Sequence, residues 1–219
     1  MGKEIDLLKK YPNSVRDLSG RIKNKSQKIR SIARKFGRDF FDGQRKYGYG
    51  GYNYHPKFWS DVVLTFKNHW KLKKGDSILD VGCGKGFMIY DFKRIIDGLE
   101  VHGIDISNYA IQNSLQPVKN KVSIANAKKL PFADNSFDYV ISINTIHNLA
   151  KKDCAKSLKE IERVSKKGSF ITVDAYQTVT QKKRMYQWNL TAKTIMSVNQ
   201  WKIFFKINKF SGDYFWFIP

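Results

Sequence analysis

The sequence predicts an α/β protein with one doubly wound, mostly parallel β-sheet and an N-terminal helical extension. Short apolar runs alternate with helical segments from residue 77 onward, and this alternation favours parallel strands joined by right-handed crossovers. A glycine-rich turn links the first of these runs to a helix. The chain has 219 residues and a hydrophobic content of 42%, which is enough for the core of one domain.

The N-terminal part of the chain is expected to be helical. Residues 1–56 are assigned to the extension and residues 57–219 to the main domain. Apolar side chains recur in residues 14–41 at steps of three, four and seven, which predicts one amphipathic helix with Asn13 or Ser14 as its N-cap. We expect this helix to cover an apolar edge of the main domain. The alternative is a helix that lies on RNA or on a membrane.

The main domain is predicted to alternate helices and strands. A helix over residues 57–70 comes first. The predicted strands are residues 77–82, 99–107, 121–127, 137–143 and 168–176. The helices between them are residues 86–96, 108–115 and 151–165. The C-terminal part adds a helix at 198–208 and an aromatic strand at 212–218.

The charge of the chain is strongly positive and unevenly distributed. Lysine and arginine number 40 against 19 acidic residues, giving +21. Most of the excess lies in residues 1–50 and 150–219, while the middle is nearly balanced. Basic flanks can indicate a polyanionic partner such as RNA. The other interpretation is the lysine-rich composition of an AT-rich genome.

Several classes of protein are not expected. No run of about 18 apolar residues indicates a transmembrane helix, and the N-terminus lacks the apolar core of a signal peptide. Cys83 and Cys154 are far apart, which favours a reduced, cytoplasmic protein without a disulfide framework. The histidines and cysteines show no metal-ligand spacing, so no metal site is predicted.

The stretch SILDVGCGKGF carries the strongest functional signal. A buried strand includes Asp80, and Gly82, Gly84 and Gly86 follow before a helix. Glycine permits a sharp turn and close approach of a ligand to the main chain. The spacing differs from a dinucleotide fingerprint, because Phe87 stands where the last glycine would be. The Asp80 carboxylate would repel a pyrophosphate and suits a cationic ligand with an amino group.

Two further polar residues end neighbouring strands. Asp105 closes the second strand, where a carboxylate can accept hydrogen bonds from ribose hydroxyls. Asn126 closes the third strand, where its amide oxygen can accept from the exocyclic amine of adenine. Because parallel strands present their carboxyl ends at one edge of the sheet, these residues are expected to meet Asp80 there.

Taken together, LDVGCGKG, GIDIS and LPFADNSFDYV resemble the class I S-adenosylmethionine-dependent methyltransferases in order and spacing. The resemblance covers residues 77–176, under half of the chain. It implies a Rossmann-like methyltransferase fold and S-adenosylmethionine as cofactor. The cofactor-binding residues that it implies are Asp80, Gly82, Cys83, Gly84, Asp105, Ile106, Asn126, Ala127 and Asn144.

The resemblance also assigns parts of the cofactor to individual residues. Gly82 and Gly84 would hold the methionine part, Asp105 the ribose, and Ile106 would flank the adenine. Asn126 would contact the edge of the adenine. The family often has an aspartate there, but the amide keeps the hydrogen-bond acceptor. The simpler alternatives are a tight turn for the glycines, and a turn or cap role for the polar residues.

The tyrosine-rich aromatic segment, RKYGYGGYNYHPKFW over residues 45–59, precedes the first strand. Methyl transfer needs water excluded and the acceptor aligned, and tyrosine faces attract cations such as a sulfonium. We therefore predict that Tyr47, Tyr49, Tyr52 and Tyr54 help to close the site. The alternative is aromatic packing between the N-terminal helix and the sheet.

The acceptor side of the site is predicted after the fourth and fifth strands. Asn144 and His147 leave the fourth strand, and Asp174 and Tyr176 lie at the end of the fifth. A histidine near its ordinary pKa could take a proton from a hydroxyl or an amine; a histidine that caps the next helix is the alternative. The candidate catalytic residues are His147, Tyr49 and Tyr52.

These observations predict a cytoplasmic enzyme that methylates an oxygen or nitrogen of a small polar or anionic metabolite. The chain lacks the N/D-P-P-Y/F signature that would indicate methylation of a base or amide nitrogen. One alternative is an RNA methyltransferase that uses the basic flanks. Another is a cofactor-binding subunit without activity, because a fold does not guarantee a function. The oligomeric state is left open.

Overall fold

The computed structural model describes residues 2–12, 18–23 and 25–218. Its α-helices are α1 (Leu18–Lys23), α2 (Gln27–Ala33), α3 (Arg38–Phe41), α4 (Pro56–Trp70), α5 (Phe87–Ile95), α6 (Asn108–Gln112), α7 (Lys151–Val164), α8 (Val179–Trp188) and α9 (Val198–Ile207). Its strands are β1 (Ser77–Val81), β2 (Glu100–Asp105), β3 (Val122–Ile124), β4 (Phe137–Ile143), β5 (Ser165–Tyr176), β6 (Met196–Ser197) and β7 (Asp213–Phe217). Short 3-10 helices span Gln116–Lys121 and Ile146–Asn148.

The predicted doubly wound, mostly parallel sheet is confirmed. The strand order is β3-β2-β1-β4-β5-β6, and β7 also pairs with β5. Every pairing between these named strands is parallel. The chain builds outward from β1 through β2 and β3, then returns to place β4 on the other side of β1. The carboxyl ends of β1 and β4 therefore form the switch point where ligands bind in such sheets.

The sheet is covered by apolar side chains on both faces. One buried cluster joins Val62 and Phe66 of α4 and Phe92 of α5 to the strands. The other places Leu158 of α7 and Trp201 of α9 against the opposite face. Strands covered on both faces are continuously apolar, which explains why the sequence predicted the central strands well.

The prediction of one helix over residues 14–41 is wrong. Three short helices, α1, α2 and α3, occupy the described part of this segment. Ser26 caps a new helix by accepting a hydrogen bond from the backbone N–H of Ile29. Phe36 then has a φ of 50°, and Gly37 is extended, so the chain turns between α2 and α3. The predicted caps Asn13 and Ser14 lie outside the described residues.

Two other differences lie near the carboxyl edge of the sheet. The third strand ends at Ile124, because Asn126 forms a turn in which its side-chain oxygen accepts from the N–H of Lys128 (3.2 Å). Helix α8 was not predicted, since its polar sequence has little apolar periodicity. Its capping box does carry a local signal: Thr178 and Gln181 exchange side-chain and backbone hydrogen bonds.

The first residues of the chain border the sheet at β7. Glu4 forms a parallel bridge with Tyr214, and Leu7 is buried in the core with 2% of its surface exposed. Among the described helices, none has the length and apolar character needed to cross a membrane.

Candidate active site

The glycine turn after β1 has a backbone conformation that favours glycine. Gly82, Gly84 and Gly86 have φ values of 93°, 56° and 76°, in the left-handed region that other residues rarely adopt. The N–H groups of Gly82 and Cys83 both donate to Ile104 O, at 2.7 and 3.0 Å. These bonds hold the turn against the end of β2. The three glycines are therefore needed by the backbone itself.

Substitution of Gly82 by alanine should lower the stability of the protein for two separate reasons. The new Cβ would lie 2.1 Å from Thr145 Oγ1, and φ is positive. We expect a loss of about 2–4 kcal/mol in unfolding free energy. Gly75→Ala is the matched control, because Gly75 has a φ of 87° and open space around its Cβ position. That control should lose about 1 kcal/mol. Equal losses in urea unfolding would show that the Thr145 contact is unimportant.

Asp80 is a buried carboxylate without a partner. Only 4% of its surface is exposed, and no hydrogen bond or ion pair reaches its side chain from the described residues. Burial, together with the nearby charge of Asp105, raises the pKa of Asp80 to about 8. A buried acid without a partner is costly, and a cationic group of a ligand would stabilise its ionised form.

Asp105 connects the end of β2 to the glycine turn. Its Oδ2 accepts from the N–H of Gly84 (2.8 Å), and its Oδ1 accepts from the N–H of Ser107 (2.8 Å). Burial raises the pKa of Asp105, while these backbone hydrogen bonds oppose the rise. The next residue, Ile106, leaves 53% of its surface exposed. A carboxylate and an open apolar surface therefore adjoin at this edge.

The other predicted cofactor residues differ in how closely they approach Asp80, Asp105 and the glycine turn. Cys83 is buried, and its sulfur lies against Gly103. Burial raises the pKa of its thiol, so Cys83 is poorly suited to act as a nucleophile. Asn126 and Ala127 lie in the half-exposed turn after β3. Asn126 uses its side-chain oxygen within that turn, and its amide nitrogen has no hydrogen bond within the described residues.

The end of β4 is strained. Asn144 has a φ of 51°, and its N–H donates to Thr172 Oγ1 (3.0 Å) while its Oδ1 accepts from the same hydroxyl (3.0 Å). These bonds fix the turn that brings Thr145 against Gly82. Left-handed backbone outside glycine occurs often at functional sites, and here it lies at the topological switch point.

His147 is buried rather than open to a ligand. Only 3% of its surface is exposed. Its Nδ1 accepts from the N–H of Asp174 (3.1 Å), and its Nε2 lies 3.5 Å from Asp174 Oδ2. Burial lowers the pKa of His147, and the charge of Asp174 opposes this. The predicted base role would require the Asp174 contact to open, and it stays a prediction. Tyr176 is half-buried and lies 5.6 Å from the Lys182 ammonium.

Of the four tyrosines predicted to close the site, Tyr49 and Tyr52 lie close to the glycine turn. The Tyr52 ring stacks on Phe87 with 4.7 Å between centroids, and lies 3.3 Å from where a Cβ on Gly84 would be. Tyr49 contacts Tyr52 at 4.4 Å, and Phe41 contacts both rings. This aromatic cluster covers the start of α5.

The other two tyrosines of the aromatic segment have different surroundings. Tyr54 donates to Asp91 Oδ1 (2.7 Å) on α5, and its ring contacts Tyr90 and Phe87. Tyr47 lies beside the Lys46 ammonium and has no ring contact with the aromatic cluster among the described residues. Tyr54 therefore anchors the segment, whereas Tyr47 stands apart.

An ion pair that was not predicted from the sequence holds the aromatic segment to the glycine turn. The Lys85 ammonium lies 2.9 and 2.6 Å from the two Asp42 carboxylate oxygens and donates to Tyr52 O (2.9 Å). The same carboxylate accepts from the N–H of Tyr52 (2.9 Å) and from the Tyr109 hydroxyl (2.7 Å). Lys85 belongs to the motif GCGKG, but Asp42 is 43 residues away and has no local signal.

The arrangement can accommodate a ligand with a cationic group, hydroxyls and an aromatic ring. Asp80 offers an unpaired carboxylate, Asp105 offers further acceptor capacity, and Ile106 offers an exposed apolar surface. The positive-φ glycines leave the main chain uncovered by side chains of its own. These features fit S-adenosylmethionine, which combines an amino acid, a ribose and an adenine. The described residues contain no group of three or more histidine, cysteine or acidic side chains suited to a metal ion.

Comparisons with known proteins point to methyltransferases. The family model described as "Methyltransferase domain" matches residues 72–212. The ubiquinone/menaquinone biosynthesis C-methyltransferase of Neisseria meningitidis is 37% identical over 108 residues, which are 47% of this chain and 43% of that protein. An uncharacterized methyltransferase of Schizosaccharomyces pombe is 30% identical over 128 residues, covering 53% of this chain and 44% of that protein. The chain thus spans about half the length of these curated relatives.

A solved structure shows the same fold. Phosphoethanolamine N-methyltransferase 2 of Haemonchus contortus, solved with phosphomonomethylethanolamine and S-adenosylhomocysteine, superimposes with a TM-score of 0.58. The two proteins are 23% identical, and the match covers 80% of this chain and 44% of the other. At that identity the likeness concerns the fold.

Proposed function

The chain belongs to the class I S-adenosylmethionine-dependent methyltransferases, and on that premise we propose that it methylates an oxygen or nitrogen of a small polar or anionic acceptor. Asp80 is the observation that carries the proposal. Its buried carboxylate lacks a partner beside the glycine turn, and the ammonium of the cofactor's methionine part would provide one. A dinucleotide would place a pyrophosphate beside Asp80 and would not provide that cation.

The proposed roles follow the geometry of the strand ends. S-adenosylmethionine supplies an electrophilic methyl group on a sulfonium. Asp80 binds the ammonium, and the turn at Gly82 and Gly84 holds the methionine part through the main chain. Asp105 accepts hydrogen bonds from the ribose, and Ile106 packs on the adenine. Cys83, Asn126, Ala127 and Asn144 complete the proposed cofactor site; Asn126 would contact the adenine edge.

Residues 1–56 are proposed to form the cover of this site. The Lys85–Asp42 pair fixes Tyr52 beside the glycine turn, and Tyr49 packs on Tyr52. The Lys85 side chain is 8% exposed and the Asp42 side chain 24%, so salt screens this pair only in part. A cover of aromatic faces excludes water and attracts a sulfonium cation.

Tyr52→Ala should weaken S-adenosylmethionine binding about tenfold, because the substitution removes an aromatic face and admits water. Tyr47→Ala is the matched control, since Tyr47 has no ring contact with the aromatic cluster among the described residues. Calorimetric titration of both variants distinguishes the two positions. Equal affinities would assign Tyr52 to packing between the extension and the sheet.

Proton removal from the acceptor is proposed to involve the ends of β4 and β5. His147 and Asp174 form a buried pair there, and Tyr49 and Tyr52 approach from the aromatic segment. If His147 takes the proton, turnover should fall in His147→Gln while cofactor affinity is kept. A pH profile of turnover that is identical in this variant and the native protein would remove His147 from the reaction.

Incubation with labelled S-adenosylmethionine and fractionated metabolites tests the reaction. We expect labelled methyl in a small polar or anionic product, and none with the Asp105→Ala variant. Label recovered only in RNA would overturn the small-molecule proposal. Cofactor binding without label in any acceptor pool would favour a cofactor-binding subunit. One relative is a C-methyltransferase of quinone biosynthesis by name, so the products should also be analysed for methyl on carbon.

A further inference from the structure

A cationic cleft lies between the N-terminal helices and α8, apart from the cofactor residues. Its volume is about 730 Å³. Of the lining residues that the structure describes, none is acidic and four carry a positive charge. The lining residues are Lys25, Gln27, Arg30, Ser31, Arg34, Lys35 and Tyr186.

The cations of this cleft are held in place without carboxylate partners. Arg30 donates to the carbonyls of Leu190 and Ala192 at 3.4 Å. Arg34 donates to those of Thr191 and Ala192 at 3.2 and 3.0 Å. Each guanidinium keeps its Nη1 group without an acceptor within residues 2–12, 18–23 and 25–218, and no ion pair joins either arginine there. The carbonyls thus fix two guanidinium groups whose remaining N–H groups can bind an anion.

The cations also act on each other. Burial, together with the charges of Arg30, Arg21 and Arg34, lowers the pKa of Lys25 to about 8. Burial and the charge of Arg30 lower the pKa of Arg34 as well. Lys25 donates to the carbonyl of Tyr186. Because no described residue lining the cleft is acidic, a bound anion would relieve this repulsion.

The two arginines of the cleft are joined by hydrogen bonds to the acceptor side of the site. The arginines hold the loop at residues 190–192, and Asn189 at its start binds the Asp174 carboxylate. Further along the loop, the N–H groups of Lys193 and Thr194 donate to His147 O. The cleft and the His147–Asp174 pair are therefore connected through one hydrogen-bonded loop.

We propose that this cleft binds a phosphate group of the methyl acceptor. The proposal rests on the proposed methyl transfer and names the class of its substrate. Two guanidinium groups flanked by lysines suit a dianion, because their N–H groups can form charged hydrogen bonds to several oxygens. Four cations gathered around one cleft suit a single phosphate headgroup, whereas a length of RNA would need a basic track along the surface. The phosphate can belong to a soluble metabolite or to a lipid.

The test measures binding of glycerol 3-phosphate by calorimetry, with glycerol as the uncharged control. Lys35→Gln removes an exposed lining cation whose ammonium makes no hydrogen bond in the described structure, and should weaken binding about threefold. Arg34→Gln should weaken it about tenfold. Lys28→Gln is the matched control: Lys28 is an exposed lysine of α2 that does not line the cleft. Its affinity should equal that of the native protein.

A second arm distinguishes the source of the phosphate. Phosphatidylcholine vesicles with and without phosphatidic acid are sedimented with each variant. If the protein sediments with the vesicles only when phosphatidic acid and Lys35 are both present, and binds glycerol 3-phosphate weakly, the phosphate belongs to a lipid headgroup. If it binds glycerol 3-phosphate well and does not sediment with the vesicles, the phosphate belongs to a soluble acceptor. The proposal is overturned if Lys28→Gln and Lys35→Gln lose affinity equally, or if neither probe binds. It is also overturned if a short single-stranded RNA binds with a steep salt dependence and phosphate does not compete.

Cofactor binding is measured separately in the same variants. All three should keep native affinity for S-adenosylmethionine: the substituted residues lie in the extension, but in the described structure they make no hydrogen bond or ion pair with the proposed cofactor residues, Tyr49 or Tyr52. If the native protein fails to bind S-adenosylmethionine, the proposed function fails, whatever the phosphate result. If the cofactor binds and phosphate does not, only the assignment of the cleft fails.

Discussion

Replacing Asp105 by alanine should weaken S-adenosylmethionine binding by about 100-fold or more, since charged hydrogen bonds to a ligand are among the strongest that a site offers. The substitution removes the proposed ribose acceptor. It also frees the N–H groups of Gly84 and Ser107, which now donate to this carboxylate. The glycine turn would keep the bonds from Gly82 and Cys83 to Ile104 O but lose the bond at Gly84. Calorimetric titration of the purified variant measures the effect directly.

The control for this result is Asp138→Ala. Asp138 also accepts hydrogen bonds from a neighbouring strand, through the N–H and hydroxyl of Ser77. It lies at the opposite, amino-terminal edge of the sheet. Both variants should lose stability, but only Asp105→Ala should lose cofactor affinity. Equal affinities in the two variants would mean that Asp105 is a structural residue of the turn.

The second large effect is a proton released when the cofactor binds. The Asp80 carboxyl has a pKa of about 8 because of burial and the nearby charge of Asp105, so it is mostly protonated at neutral pH. Pairing with an ammonium requires the ionised form. Binding at pH 7 should therefore release up to about 0.9 proton, and affinity should rise as the pH increases toward 8. Titrations in buffers of different ionisation enthalpy measure this release.

The Asp80→Asn variant provides the control for the proton release. It should bind the cofactor at least about 100-fold more weakly, since a buried ammonium would face an uncharged amide. Any remaining binding should be almost free of proton release. If proton release persists in Asp80→Asn, the proton comes from another group.

The free native protein should also lose stability as the pH rises from about 4 to 8, because its folded state holds the proton on Asp80 that the unfolded state gives up.

The central strands and the order of the cofactor residues were predictable, for a physical reason. Strands such as β1 and β4 are covered on both faces, so their sequences are mostly apolar. Parallel strands also present their carboxyl ends at a single edge, which is why Asp80 and Asp105 could be brought together from sequence. The positive φ of Gly82 follows from the same local pattern.

Long-range polar contacts were not predictable in this way. The pairing of Lys85 with Asp42 depends on how the extension folds back over the sheet, and the sequence around neither residue predicts this contact. The burial of His147 against Asp174 likewise depends on two loops that meet only in the fold. The extension itself was predicted as one helix because its apolar spacing is regular, but Ser26 and Phe36 interrupt it.

The most direct test of the proposed cofactor site is a titration of the native protein with S-adenosylhomocysteine, run in parallel with NAD. We expect S-adenosylhomocysteine to bind with a micromolar dissociation constant and NAD not to bind, because NAD would place its pyrophosphate beside Asp80 and has no ammonium to pair with it. Binding of NAD in place of S-adenosylhomocysteine would contradict the central claim. It would show that the glycine turn holds a phosphate and that Asp80 has a different role.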